Sequence, residues 1–214
     1  MIAAVAGTLL VSYLCGSLPW GLWLGRWFRG VDVRTVGSGN LGATNVLRSL
    51  GRTLGVATLV LDMAKGALPV ALLPRTAWGD AFPGGPFACG IAAAVAAVLG
   101  HMFTVFAGFR GGKGVATTAG VVLALFPAAF GLAALAFVLV VARWRYISLG
   151  SIVAAVVFAA AVAVLARGPL AGVQRGFALA IAALVVLRHR DNIARLRQGT
   201  ERRFSWGAGR AGAR

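Results

Sequence analysis

Acid is scarce in this chain: Asp32, Asp62, Asp80, Asp191 and Glu201 are its five carboxylates, against 21 lysines and arginines. No two of them are close enough in sequence to make an evident metal site. A carboxylate-bound magnesium or zinc centre is therefore not expected, and neither is any other cofactor. Cysteine is nearly absent as well, and Cys15 and Cys89 both lie in apolar runs without metal-type spacing, which favours packing over a disulfide. No cation precedes Arg26, so the first apolar run lacks the positive start of a cleaved signal peptide. No hydrophilic stretch is long enough for a soluble domain, and no repeat of fixed period is visible.

What is abundant is apolar surface. With 59% hydrophobic and 12% charged residues, the chain is excluded from the soluble globules and is expected to cross a membrane repeatedly as an all-α bundle. Its net charge of +16 would suggest nucleic acid in a soluble protein. Here the cations sit in short loops and the tail, where they orient helices and meet anionic lipid, so membrane lipids rather than nucleic acid are the expected partners.

Apolar segments run over residues 2–24, 54–73, 87–106, 115–142, 149–166 and 170–187. The fourth would make a helix of about 42 Å against a hydrocarbon core of about 30 Å, so it is one tilted span or two short ones turning near Pro127. Charge decides. If it crosses twice, seventeen cations fall on one side and only Arg75, Arg167 and Arg175 lie in the opposite loops. Seven spans are expected, with the N-terminus outside and the tail in the cytoplasm. The two halves, about 14 residues each, should borrow flanking residues or lie within the bundle. Residues 1–204 are read as one membrane domain and 205–214 as a disordered basic tail.

The chemistry concentrates in two glycine loops. Phe109-Arg110-Gly111-Gly112-Lys113-Gly114 leads into an apolar run at Val115, so backbone amides, a lysine and a helix N-terminus could converge on an anion. Gly37-Ser38-Gly39-Asn40-Leu41-Gly42-Ala43-Thr44-Asn45, followed by Arg48, offers similar groups. The first loop is no Walker A motif, because Ala107 occupies the earlier glycine position and Gly114 follows the lysine. Seven-span parity brings both loops, the turn at Arg143 to Ser151, and Arg188-His189-Arg190-Asp191-Asn192 to one face. Hydroxyls, amides and cations of this kind suit phosphate groups. His189 and Asn192, three apart, would share a face of a helix leaving the membrane. His101 could equally be a structural donor or a substrate ligand. Asp62 and Lys65, three apart inside a span, form either a functional ion pair or a self-neutralising packing pair.

At these residues the chain closely resembles the bacterial acyl-phosphate:glycerol-3-phosphate acyltransferases over nearly its full length. The resemblance rests on Gly37-Ser38-Gly39-Asn40-x-Gly42-x-Thr44-Asn45 with Arg48, on Gly100-His101 leading to Gly111-Gly112-Lys113-Gly114-x-Ala116-Thr117, and on His189-x-x-Asn192 with Gly199 and Glu201. Asp62-x-x-Lys65-Gly66 and Arg145-Tyr146-x-Ser148-Leu149 follow the same pattern, while Thr104 stands where that family would have proline.

The resemblance implies acyl transfer from acyl phosphate to the 1-hydroxyl of glycerol 3-phosphate, giving lysophosphatidic acid and phosphate, at the cytoplasmic face of the bacterial inner membrane. It also implies a soluble partner enzyme that makes acyl phosphate. The other large acyltransferase class uses His-x4-Asp, but Phe106 and Ala194 stand at that offset from His101 and His189.

Motif and chemistry together point to Ser38, Arg48, Lys113, His189 and Asn192 as the catalytic set. Gly39, Asn40, Thr44, Asn45, His101, Gly111, Gly112, Gly114, Thr117 and Ser148 would bind substrate, and Asp62, Lys65 and Glu201 would support the site. Lys113 and the Gly111, Gly112 and Gly114 amides would hold a phosphate; His189 or a substrate phosphate oxygen would accept the proton. A transporter is the competing class, disfavoured because no inverted repeat is evident and the polar residues crowd one face. A lipid-binding scaffold would explain the basic tail but not the glycine loops.

Overall fold

The computed structural model describes residues 1–205, in which every regular element is helical. All but Ser205 of the tail expected to be disordered lies outside the described residues. The chain divides into two compact units meeting at Leu125 and Phe126, each with its own packing.

In the first unit the opening apolar run is not one helix. Pro19 has no amide hydrogen and drives Leu18 out of the helical region, to φ −57 and ψ 111, so α1 (Ile2–Ser17) stops and α2 (Trp20–Arg29) starts anew. The helices α3 (Ala43–Leu50), α4 (Arg52–Leu72), α5 (Ala77–Asp80), α6 (Gly85–Met102) and α7 (Val115–Leu125) follow. Main-chain contact at glycine joins them: a Cβ on Gly16 or Gly100 would strike the carbonyl of Ala97 or Tyr13 across the α1/α6 seam. One on Gly66 or Gly120 would strike that of Thr117 or Met63 across the α4/α7 seam. Apolar helices in lipid gain little from mutual hydrophobicity, so this close packing is what draws them together. Leu9, Leu10, Val56 and Val60 are left exposed, as a lipid-facing surface requires.

The second unit holds α8 (Pro127–Trp144), α9 (Ile147–Leu165), α10 (Ala171–Arg188) and α11 (Arg190–Arg197). Helix α9 packs on both α8 and α10, and the Phe126 ring sits 5.8 Å from Phe158 and 6.0 Å from Phe177. Arg145, at φ 63, turns α8 into α9.

The long fourth run is broken at Phe126, where φ −138 and ψ 61 precede the N1 proline of α8. Its parts differ from the expected equal halves. Helix α7 has 11 residues and α8 has 18, because the break at Phe126 precedes the middle of the run and α8 extends past its end through Arg143 to Trp144. Among the described residues, six helical segments are long and apolar enough to cross a bilayer, with 2–29 counted as one through its break; α7 is a shorter apolar helix of about 16 Å. The protein is an all-helical, multi-span membrane protein.

The α4/α7 seam is tested by Gly120→Ala, whose methyl would meet a main-chain carbonyl that cannot rotate away. It should destabilise the detergent-solubilised protein by about 1–3 kcal/mol. Gly131→Ala, with no atom within 4 Å of its Cβ position, should leave the unfolding midpoint nearly unchanged. Equal midpoints for both variants would exclude tight packing at Gly120.

Candidate functional site

The Ser38 loop is organised by one buried amide. Asn45, 3% exposed at the start of α3, directs its Nδ2 to the carbonyls of Val33 (2.9 Å), Asn40 (2.9 Å) and Val36 (3.1 Å), while its Oδ1 accepts from the Ser38 amide at 2.8 Å. Val33, Leu41 and Val46 anchor the loop in an apolar core with Leu22 and Leu54. Asn45, expected among the substrate ligands, thus has its amide engaged by the loop itself. Asn40 closes a local turn by accepting from the Gly42 amide at 2.8 Å. Gly37 and Gly39 hold positive φ of 63 and 69, presenting Ser38 and Gly39 at the exposed edge of the loop. Thr44 and Arg48 are half-buried on α3.

Asp32, unassigned from sequence, fixes the approach to this loop. Its carboxylate pairs with Arg26 at 2.9 Å and Arg34 at 2.6 Å. The Arg34 hydrogen bonds, chiefly, hold that carboxyl well below the usual range.

The Lys113 loop lies on the end of α6. Gly111 donates its amide to the Met102 carbonyl (3.0 Å) and Gly112 to that of His101 (3.2 Å). Two of the three glycine amides expected at a phosphate are therefore already engaged. What these glycines provide is closeness: a Cβ on Gly111 would strike the His101 carbonyl, and one on Gly112 its imidazole Nε2. Gly114, at φ +83, delivers the chain into α7, and Lys113 is half-buried beside that helix N-terminus. Thr117, expected at the substrate, is fully buried and packs against Gly66 of α4.

Below the loop, Lys65 Nζ sits 2.7 Å from Asp62 Oδ1 and donates to the Leu18 carbonyl at 2.6 Å. His101 Nδ1 is 3.8 Å from the same Asp62 oxygen, and all three side chains are at least 95% buried. Thr104 donates to the Ser17 carbonyl and Ser17 to that of Gly100 at 3.2 Å. These residues, with Pro19, Trp20, Leu41 and Gly112, line one cleft, so both glycine loops border the same space. Among the described residues no three histidine, cysteine or acidic side chains gather as metal ligands. Both cysteines are free: Cys15 donates to the Lys65 carbonyl at 3.4 Å, and Cys89 Sγ lies 3.6 Å from Thr8 Oγ1.

The second unit gathers Ser148, Asn192 and Glu201. Glu201 Oε1 accepts from Ser148 Oγ (2.7 Å) and Asn192 Nδ2 (2.6 Å), and Oε2 accepts from Arg195 Nε (2.7 Å). A return segment of residues 201–204 lies along the α8/α9 turn: Arg145 Nε donates to the Phe204 carbonyl at 3.0 Å, and Arg203 Nε to Tyr146 Oη at 3.2 Å. His189 and Asn192 do not share a continuous helix. His189, at φ −102 and ψ 10, is the joint between α10 and α11, and its Nδ1 is 2.7 Å from the Val185 carbonyl. The arginine strap was not anticipated, because its partners are more than fifty residues apart in sequence.

Two buried polar clusters, one under paired glycine loops and one at a helix joint, on a frame of membrane-length helices define an integral membrane protein. The known proteins it matches narrow the class. A family model for glycerol-3-phosphate acyltransferase matches residues 6–199. The glycerol-3-phosphate acyltransferases of Geobacter sulfurreducens and Myxococcus xanthus are each 48% identical, over 91% and 92% of this chain and 94% and 97% of their own lengths. The crystal structure of PlsY (YgiH), an integral membrane glycerol 3-phosphate acyltransferase, in its glycerol 3-phosphate form superposes with a TM-score of 0.82 at 38% identity, covering 94% of this chain and 96% of that one. Its lysophosphatidic acid form gives 0.80 at 37%, with the same coverage. The chain belongs to the glycerol-3-phosphate acyltransferase family.

Burial favours the neutral form of Glu201, but the donors Ser148, Asn192 and Arg195 outweigh it and hold the carboxyl below the ordinary range. A depressed folded-state pKa means stability that is complete above the unfolded value, about 4.3, and is lost as pH falls through the lower folded value. Thermal unfolding between pH 7 and 3 should show this acid limb. Glu201→Gln should be less stable at pH 7 and should lack the limb; parallel curves would show that the carboxylate's charge is not what these donors hold.

Proposed function

We propose that this protein transfers a fatty acyl group from acyl phosphate to the 1-hydroxyl of glycerol 3-phosphate, releasing lysophosphatidic acid and phosphate as the first acylation of bacterial phospholipid synthesis. The observation that carries the reading is membership of this family over residues 6–199, and a small cleft lined by Leu41 of one glycine loop and Gly112 of the other supports it. Both substrates bear phosphate, and this cleft adjoins the loops that carry Ser38 and Lys113, with Arg48 on the following helix. An acyl phosphate is a mixed anhydride with a good leaving group, so positioning and charge stabilisation can supply the catalysis without a strong protein base.

In this reading Lys113 holds the leaving phosphate at the N-terminus of α7, and Arg48 and Ser38 steady charge at the carbonyl. His189 and Asn192 orient glycerol 3-phosphate, with either His189 or a substrate phosphate oxygen taking the hydroxyl proton. Gly39, Asn40 and Thr44 complete the first loop's phosphate contacts, while Asn45, Ser148 and Glu201 hold their surroundings in shape. A soluble enzyme that makes acyl phosphate is the partner this donor requires.

The same reading puts the site at the cytoplasmic face of the inner membrane, with α7 as the short seventh crossing. The cation excess in the first, third and fifth connections and in the tail supports that orientation. Reporter fusions after Arg52, Gly112, Arg145 and Arg195 should all read cytoplasmic; a periplasmic signal after Arg145 would eliminate the seventh crossing.

The donor is tested with purified protein in detergent and labelled glycerol 3-phosphate. Acyl phosphate should give labelled lysophosphatidic acid, acyl-CoA and acyl-carrier protein should not, and EDTA should leave the rate unchanged. Turnover with acyl-CoA alone, in a preparation free of acyl phosphate, would overturn the assignment.

A further inference from the structure

The Asp62, Lys65 and His101 cluster is buried, charged and next to a proposed phosphate loop, yet none of the three has a part in the chemistry above. Merely packing α4 against its neighbours does not call for charge, because apolar side chains of similar volume generally serve as well as a buried ion pair. Its connections run in one direction. Lys65 ties the Leu18 carbonyl, at the break between α1 and α2, to Asp62; Asp62 Oδ1 stands 3.8 Å from His101 Nδ1; and the far side of the His101 ring lies against Gly112. The His101 carbonyl also receives the Gly112 amide, and the Met102 carbonyl that of Gly111. Lys113 is the next residue.

We propose that Asp62, Lys65 and His101 are positioning residues for Lys113, forming a brace in which the Asp62–Lys65 pair backs the His101 ring, 3.8 Å from Nδ1, and the ring sets the height of the loop carrying the phosphate-binding lysine. The glycines make the brace effective, since at Gly111 and Gly112 any side chain would separate the loop from the ring it rests on. His101 is thus neither a substrate ligand nor a proton carrier. Lys65, although cationic and beside the cleft, is held by Asp62 and Leu18.

This inference rests on the reading in which Lys113 binds a substrate phosphate, and its test separates the two. Three variants are assayed for the kinetics of both substrates: His101→Phe, which keeps a ring but has no nitrogen for Asp62; Lys113→Arg, which keeps the charge; and the double variant. Displacing a phosphate-binding group by a fraction of a residue length should lower kcat/KM by about ten- to hundred-fold. His101→Phe should show this as a raised KM for one phosphate substrate, with the other KM and the unfolding midpoint nearly unchanged. In the Lys113→Arg background the same change should add less than about two-fold, because both substitutions act on one group. Asp62→Asn should reproduce the KM signature, and His101→Gln replaces His101→Phe in the cycle if the latter fails to fold.

An equal fold-loss in both backgrounds would overturn the brace while leaving Lys113 in its role. A fall in active protein with both KM values unchanged would do so too, by showing a purely structural part. Lys113→Ala with the kinetics of the unaltered protein would sink the underlying phosphate reading, and the brace with it.

Discussion

Within a hydrocarbon layer, a backbone carbonyl released from its helix must find another donor inside the protein. The joint at Leu18 and Pro19 is where this constraint bears hardest on the first unit. The last carbonyls of α1 lose partners that Pro19 and the bend after it can no longer supply. Thr104 answers at Ser17, and the Leu18 carbonyl accepts from both the Trp20 amide at 3.1 Å and Lys65 at 2.6 Å. Lys65 in turn needs Asp62, because a lone buried ammonium is far more costly than a paired one. The cleft lies where the helix was broken, with Ser17 and Pro19 of the joint in its lining.

Glycine has two different uses in the unit, and they are easily confused. In the helices, Gly16, Gly66, Gly100 and Gly120 let main chains touch, replacing the hydrophobic drive that lipid removes. In the loops the expectation is an array of free amides for an anion, yet Gly111 and Gly112 direct theirs to α6. The loop is rigid because those amides are engaged. In the proposed function, anion binding then falls on Lys113 and the N-terminus of α7. Rigidity of this kind is what a catalyst relying on position and charge needs.

The same economy appears at the hubs. Asn45 in the first unit and Glu201 in the second each satisfy three or more partners from distant stretches of backbone or side chain. Both belong to motifs that from sequence suggest contact with substrate or simple support. Their geometry makes them the reason that Ser38, and Ser148 with Asn192, occupy fixed places.

Sequence by itself determined the helical class, the membrane location, the break near Pro127, the pairing of Asp62 with Lys65 and the family. Each follows from local composition, helical spacing or a contiguous motif, which are properties of neighbouring residues. The tertiary structure alone decided that His101 lies between Asp62 and Gly112, that Thr117 packs against Gly66 of α4, and that Arg145 and Phe204 join within the second unit. It also carried α8 two residues past the apolar run, to Trp144, since that reach depends on the turn at Arg145. The physical reason is one of range. A side chain's partner is chosen by the packing of helices tens of residues apart, and where glycine lets backbones touch, that packing is set within a fraction of an ångström by atoms no sequence pattern brings together.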